Sequence, residues 1–128
     1  MSDKTVAEKM HIKPGMTIGF FNEPDNLDEL LGDLPDGVEI SDNLETTDLD
    51  LILAFMADRQ MLEAYLYSLK TAITDDGALW LAYHKDSSSV DTDINRDIIS
   101  KYSQTLDLEG VAMISINDNW SGFRFKKI

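Results

Sequence analysis

Cysteine is absent from this chain of 128 residues. Its absence excludes disulfides, thiolate nucleophiles and metal sites built on cysteine. The two histidines, His11 and His84, are too far apart in sequence to share a helical turn, so we expect no metal site. The patterns H-E-x-x-H, G-x-S-x-G and G-x-x-x-x-G-K-[ST] are also missing. The sequence therefore identifies no catalytic residue.

Long hydrophobic runs are missing too. No apolar stretch approaches the roughly 20 residues that a membrane-spanning helix requires. The first residues, Met1 to Met16, are polar and lack the apolar segment of a signal peptide. We therefore predict a cytoplasmic protein that does not bind membranes. The length suits one domain over residues 1–128, because neither a linker nor an internal repeat divides the chain.

Basic residues are scarce and unevenly placed. The net charge is −13, and residues 14–58 contain twelve acids but neither lysine nor arginine. Because binding to phosphate backbones requires clustered cations, we expect no nucleic-acid partner. The acids either form a docking face or nucleic-acid mimic, or they serve only as a solvated surface. Their spacing through loops and helix starts favours the solvated surface.

A strand–helix–strand unit occupies the middle of the chain. Residues 49–57 are almost all apolar, as in a strand that is buried on both faces. Asp58 can cap the following helix, in which apolar residues recur at helical spacing from Met61 to Ile73. Residues 74–77 predict a turn, and residues 78–83 predict a second strand parallel to the first.

The flanking segments complete an α/β pattern. A capping box at Thr5 predicts a short helix, and capping residues at Asn26 and Thr92 predict two more. Further strands are predicted at 17–22, 38–41, 111–116 and 120–128, the last two as an antiparallel hairpin. We therefore predict a Rossmann-like three-layer α/β sandwich, with a mostly parallel sheet of about six strands and an antiparallel C-terminal hairpin.

Several stretches resemble Rossmann-like methyltransferases. Residues 13–18 are similar to the approach to their first strand, and residues 75–80 resemble the turn before their fifth strand. Almost the whole chain resembles a family of short prokaryotic proteins, known as a domain of unknown function, that look like trimmed methyltransferase folds. Residues 83–85, 92–97 and 120–125 carry this match, with His84 where the family pattern leads us to expect proline. The resemblance implies a methyltransferase-like fold and no established activity.

The chain departs from the methyltransferases after its first strand. Their first strand leads into a glycine-rich loop that passes close to the cofactor, S-adenosylmethionine. Here residues 20–26 contain no glycine, and Pro24 fixes one φ angle. We therefore expect no cofactor to bind in the usual way. Asp42 lies where the resemblance places an acid for the ribose hydroxyls.

Ligands of open α/β sheets bind beyond the carboxyl ends of the strands. The start of the final, antiparallel strand should lie at the same edge. The candidate ligand-binding residues at this edge are Asn22, Glu23, Arg59, His84, Lys85, Ser87, Thr92, Trp120 and Ser121.

Each chemical role at this edge has an alternative. Lys85, with Ser87 to Ser89 and the helix start at Thr92, is suited to hold an anion, but Asp86, Asp91 and Asp93 can satisfy that helix without a ligand. His84 is a general base or a solvated side chain. Trp120 stacks on a flat ligand or anchors the hairpin.

We interpret the chain as a non-catalytic domain that binds a small ligand or a protein partner at this edge. One alternative is an S-adenosylmethionine-dependent methyltransferase with an atypical cofactor loop. Another is an unrelated enzyme in which His84 or Lys85 is active. A monomer or weak homodimer is expected, since Lys126 and Lys127 near the hairpin edge disfavour pairing between two copies.

Overall fold

The computed structural model describes residues 5–85 and 92–128, and its strands form one six-stranded sheet in the order β2-β1-β3-β4-β6-β5. The strands are β1 (Thr17–Phe21), β2 (Glu39–Ser41), β3 (Leu49–Phe55), β4 (Ile73–His84), β5 (Leu108–Ser115) and β6 (Trp120–Lys127). The helices are α1 (Val6–Lys9), α2 (Leu27–Leu31), α3 (Arg59–Ala72) and α4 (Arg96–Thr105).

The sheet is parallel from β2 to β4 and antiparallel beyond it. Strand β1 pairs in parallel with both β2 and β3, and β3 pairs in parallel with β4. Strand β6 then runs antiparallel between β4 and β5. This arrangement confirms the predicted fold class, including the C-terminal hairpin. It also places the start of β6 beside the end of β4, where His84 pairs with Trp120.

Two apolar cores lie on opposite faces of the sheet. Successive residues of β3 point to opposite sides, as the period of a strand requires. Ile52 and Ala54 join the core covered by α3 and α4, whereas Leu51 and Leu53 join the core covered by α1 and α2. The near-continuous apolar run in the sequence therefore reflects a strand that is buried on both faces.

The predicted turn at residues 74–77 is wrong. Helix α3 passes directly into β4 at Ile73, and the supposed turn residues continue the strand. Leu49 pairs with Ile73 and Leu51 pairs with Ala78. Residues 74–77 of β4 therefore form an irregularity in the pairing with β3, like a β-bulge. Lys127 supports this region because its Nζ donates a hydrogen bond to the Ile73 carbonyl at 2.7 Å.

The predicted cap of α4 is also wrong. Helix α4 is capped by Asn95, whose Oδ1 accepts from the Ile98 N–H at 3.0 Å, rather than by Thr92. Asn26 occupies the N-cap position of α2 as predicted, but its side chain makes no capping hydrogen bond. The capping box at Thr5 and Glu8 is present as predicted. In the described ranges, no helix has the length and apolarity needed to cross a bilayer.

Candidate functional site

The carboxyl end of β1 lies at the point where the strand order reverses. Strand β2 is on one side of β1 and β3 is on the other, and ligands of open α/β sheets bind at such a switch point. Asn22 follows β1 directly and has a φ of 54°, in the left-handed region. Asparagine is one of the few residues other than glycine that adopt this conformation readily. The chain therefore turns sharply here without a glycine.

The side chain of Asn22 spans the switch point. Its Nδ2 donates a hydrogen bond to the Phe55 carbonyl at 2.9 Å and lies 3.5 Å from the Met61 sulfur. This contact ties the end of β1 to the end of β3. Glu23 is exposed after the end of β1, and Asp42 is exposed after the end of β2.

His84 and Trp120 form a stacked pair on the sheet face that carries α1 and α2. Their ring centroids are 3.9 Å apart, and Trp120 also packs edge-on against Phe55 at 5.0 Å. Burial lowers the pKa of His84, and a backbone hydrogen bond with Asn119 opposes this only in part. The pair has the contacts expected of a hairpin anchor, with a largely neutral imidazole at neutral pH.

Lys85 and Ser121 lie on the opposite face, beside α4. They border a cavity of about 320 Å³ at the carboxyl edge. Its lining residues are Tyr83, Lys85, Asn95, Arg96, Asp97, Met113 and Ser121. The candidate residues from the sequence are therefore not one cluster, because the sheet separates Lys85 and Ser121 from His84 and Trp120.

Lys85 is fixed at both its backbone and its side chain. Its N–H donates to the Asn119 carbonyl at 2.8 Å, and its Nζ donates to the Ser115 hydroxyl at 2.6 Å. The hydrogen bond to Ser115 is exposed to solvent and holds the ammonium at the border of the cavity.

Thr92 and Arg59 lie at the junction between β3, α3 and the segment before α4. The Thr92 hydroxyl donates to the Ala57 carbonyl at 2.9 Å. Asp93 accepts from the Arg59 N–H at 2.7 Å and so supports the start of α3. The Arg59 guanidinium pairs with Glu63. Ser87, together with Ser88, Ser89, Asp86 and Asp91, lies outside the described residues.

Comparison with known proteins identifies the fold. The complex of DhpI with S-adenosylhomocysteine has a TM-score of 0.64 and 11% identity, covering 95% of this chain and 82% of that one. A ribosomal protein L11 methylase from Lactobacillus delbrueckii subsp. bulgaricus has a TM-score of 0.60 and 10% identity, covering 94% of this chain and 73% of that one. This chain has the fold of S-adenosylmethionine-dependent methyltransferases.

A further methyltransferase of this fold shows the same extent of similarity. The TehB-like enzyme from Corynebacterium glutamicum has a TM-score of 0.58 and 12% identity, and the match covers 94% of this chain and 85% of that one. No protein-family model matches the chain, and no curated protein matches it. The resemblance to a trimmed methyltransferase fold is thereby confirmed at the level of architecture.

In the methyltransferase fold the loop after β1 lies next to the cofactor, so the conformation of this loop bears on whether a cofactor fits. The sequence lacks the expected glycines, yet the backbone at Asn22 adopts the left-handed conformation for which glycine is favoured. A residue other than glycine thus holds a left-handed backbone at the end of β1. The amide of Asn22 is an added feature, directed onto the Phe55 carbonyl.

Sequence reasoning missed part of the cavity beside α4. The sequence did not indicate Asn95 and Arg96, which line the cavity, or Ser115, which accepts the hydrogen bond from Lys85. Asn95 lies just before the apolar-periodic residues of α4, which is a signal for its role as N-cap. The pairing of Ser115 with Ser121 follows from the hairpin register, which is set by structure rather than by any local motif. In the part of the chain that the structure describes, no cluster of three or more potential metal-ligating side chains occurs.

Proposed function

We propose that the chain binds S-adenosylmethionine at the switch point between β1 and β3 and acts as a methyltransferase with an atypical cofactor loop. The observation that carries this proposal is the left-handed backbone of Asn22 at the end of β1. It preserves a sharp turn where methyltransferases use glycine. When bound, the cofactor supplies an electrophilic methyl group, and the protein supplies binding and orientation.

The residues available for the cofactor come from two neighbouring strand ends. The turn that begins at Asn22 would face its amino-acid end, and Asp42 beyond β2 would accept hydrogen bonds from the ribose hydroxyls. Support also comes from neighbours that were solved with this cofactor or its product, including DhpI in both states. These neighbours support methyl transfer better than the initial hypothesis of a non-catalytic binding domain.

Calorimetric titration with S-adenosylmethionine and S-adenosylhomocysteine tests the proposal. We expect saturable binding of both ligands with one site per chain. Asp42→Asn should weaken binding, because the neutral amide is a poorer acceptor for the two ribose hydroxyls. Asp36→Asn is the matched control, since Asp36 is equally exposed but lies before β2 rather than after it. Absence of binding to the wild-type chain by either ligand would overturn the proposal.

A second candidate function is binding of another ligand without methyl transfer. The specific observation in its favour is the Asn22 amide, which bridges β1 and β3 across the switch point. Asn22→Gly distinguishes the candidates, because glycine keeps the left-handed turn and removes the bridge. If Asn22→Gly binds S-adenosylmethionine and the wild type does not, the second candidate is supported, because the Asn22 side chain then prevents cofactor binding in the wild type. If neither chain binds, obstruction by Asn22 is refuted as well.

A further inference from the structure

We propose that the cavity bordered by Lys85 and Arg96 binds a small molecule through a phosphate group. The cavity lies between the first turn of α4 and the adjoining ends of β4, β5 and β6. It is separate from the switch point at Asn22, so this inference does not depend on S-adenosylmethionine binding.

Lys85 provides the first argument. The chain has 24 acidic and 11 basic residues, yet no carboxylate pairs with Lys85 among residues 5–85 and 92–128. A lysine ammonium has three N–H donors, and one of them is directed to the Ser115 hydroxyl. The ammonium therefore keeps donors for an anion at the border of the cavity, and no carboxylate of the described residues neutralises its charge.

Arg96 adds a second cation to the same cavity. Its Nε lies 3.6 Å from the Asp97 carboxylate, which is beyond hydrogen-bonding distance, and both side chains are exposed. Asp97 also borders the cavity and is its single carboxylate in the described residues. Among the described lining residues, two cations therefore oppose one anion. The planar guanidinium can donate two parallel hydrogen bonds to phosphate oxygens, while the ammonium acts as a point charge.

The remaining lining sets the size and type of the ligand. A volume of about 320 Å³ is at the lower end of the range for small-molecule sites, which suits a phosphorylated metabolite. The Ser121 hydroxyl supplies a neutral donor, and the partly exposed Met113 supplies an apolar wall. The start of α4 is not itself the site, because the Asn95 side chain already accepts from the Ile98 N–H.

Titration with glycerol phosphate, followed by backbone amide NMR shifts at low ionic strength, tests the site. Inorganic phosphate and acetate serve as parallel probes for the isolated anion and for a carboxylate. We expect saturable shifts at residues that border the cavity, with acetate binding most weakly because it offers fewer acceptor oxygens. Lys85→Met should weaken binding by about tenfold or more, because it removes a charge-assisted hydrogen bond.

Arg96→Met is a second variant. We expect it to fold like the wild type, because Arg96 is exposed. Lys101→Met is the matched control, because Lys101 is an exposed cation of α4 that does not line this cavity. Equal affinity in wild type and in both cavity variants would overturn the proposal, as would shifts that never saturate. S-adenosylmethionine should bind Lys85→Met like the wild type, so the two proposals can fail separately.

Discussion

Ser103 is completely buried in α4, and its hydroxyl has no hydrogen-bond partner among residues 5–85 and 92–128. In the unfolded chain this hydroxyl is hydrogen-bonded to water, so folding carries an uncompensated desolvation cost. Ser103→Ala removes the unpaired group and raises helix propensity. We expect the free energy of unfolding to rise by about 1 kcal/mol, measured by urea denaturation.

Ser68→Ala is the control for helix propensity alone. Ser68 lies in the middle of α3 and is exposed, so its replacement lacks the desolvation contribution. If Ser103→Ala stabilises the protein no more than Ser68→Ala does, the buried hydroxyl has no net cost. That result would contradict the prediction.

At the residue scale, the sequence predicted which residues lie at the carboxyl edge of the sheet, but it did not predict the surroundings of their side chains. It placed His84 and Lys85 beside Trp120 and Ser121, because the hairpin brings their backbones together. Alternation along a strand implies that neighbours face opposite sides, but it does not say which side opens into a cavity. The left-handed turn at Asn22 could not be predicted, because asparagine favours that conformation only where the surrounding structure requires it.

The start of α3 is stabilised by carboxylates from two segments. Asp58 accepts from the Met61 N–H at 2.8 Å, and Asp93 accepts from the Arg59 N–H at 2.7 Å. These contacts satisfy donors that have no partner within the helix and place negative charge at its positive end. We expect Asp93→Ala to lower the free energy of unfolding by about 1 kcal/mol, measured by thermal or urea denaturation.

Two variants make this prediction specific. Asp93→Asn keeps an acceptor oxygen and should lose less stability than Asp93→Ala. Asp118→Ala removes an exposed acid from the turn between β5 and β6 and should have little effect. Equal losses for Asp93→Ala and Asp118→Ala would show that the contact with α3 contributes nothing.

At the element scale, prediction succeeded for elements with a long apolar pattern. It failed where two residues could each cap the same helix. Strand β3 and helix α3 were recognisable from their apolar patterns. Thr92 and Asn95 are both acceptable caps for α4, and the choice between them depends on the bond from Thr92 to Ala57, which is distant in sequence. The residues of the expected turn at 74–77 remain in β4 because the ladder tolerates an irregularity there.

For the whole molecule, the net charge of −13 predicts a dependence of stability on salt. Like charges repel in the compact state, and ions screen that repulsion over a Debye length that falls from about 30 Å at 0.01 M to about 8 Å at 0.15 M. We expect the urea midpoint at neutral pH to rise between these concentrations. The rise should be smaller at about pH 5, closer to the isoelectric point of about 4.2. An unchanged or lower midpoint at neutral pH would contradict this prediction.

The overall architecture was the part most accessible from sequence. Alternation of apolar strands with amphipathic helices constrains a chain of this size to a layered α/β sheet. The six-stranded, mostly parallel sheet and the antiparallel position of β6 agree with that expectation. The cavity beside α4 depends on side chains from three strands and one helix, so no single stretch of sequence could indicate it.

The two tryptophans give the molecule two distinct optical environments. Trp80 lies in the middle of β4 with 1% of its surface exposed, whereas Trp120 is stacked on His84 at the sheet edge. A protonated imidazole in contact with an indole quenches its fluorescence, and burial keeps the pKa of His84 below its ordinary value. Emission from Trp120 should therefore dim only under acidic conditions, while Trp80 supplies a steady background. The fluorescence of Trp120 therefore reports the protonation of His84 at the carboxyl edge.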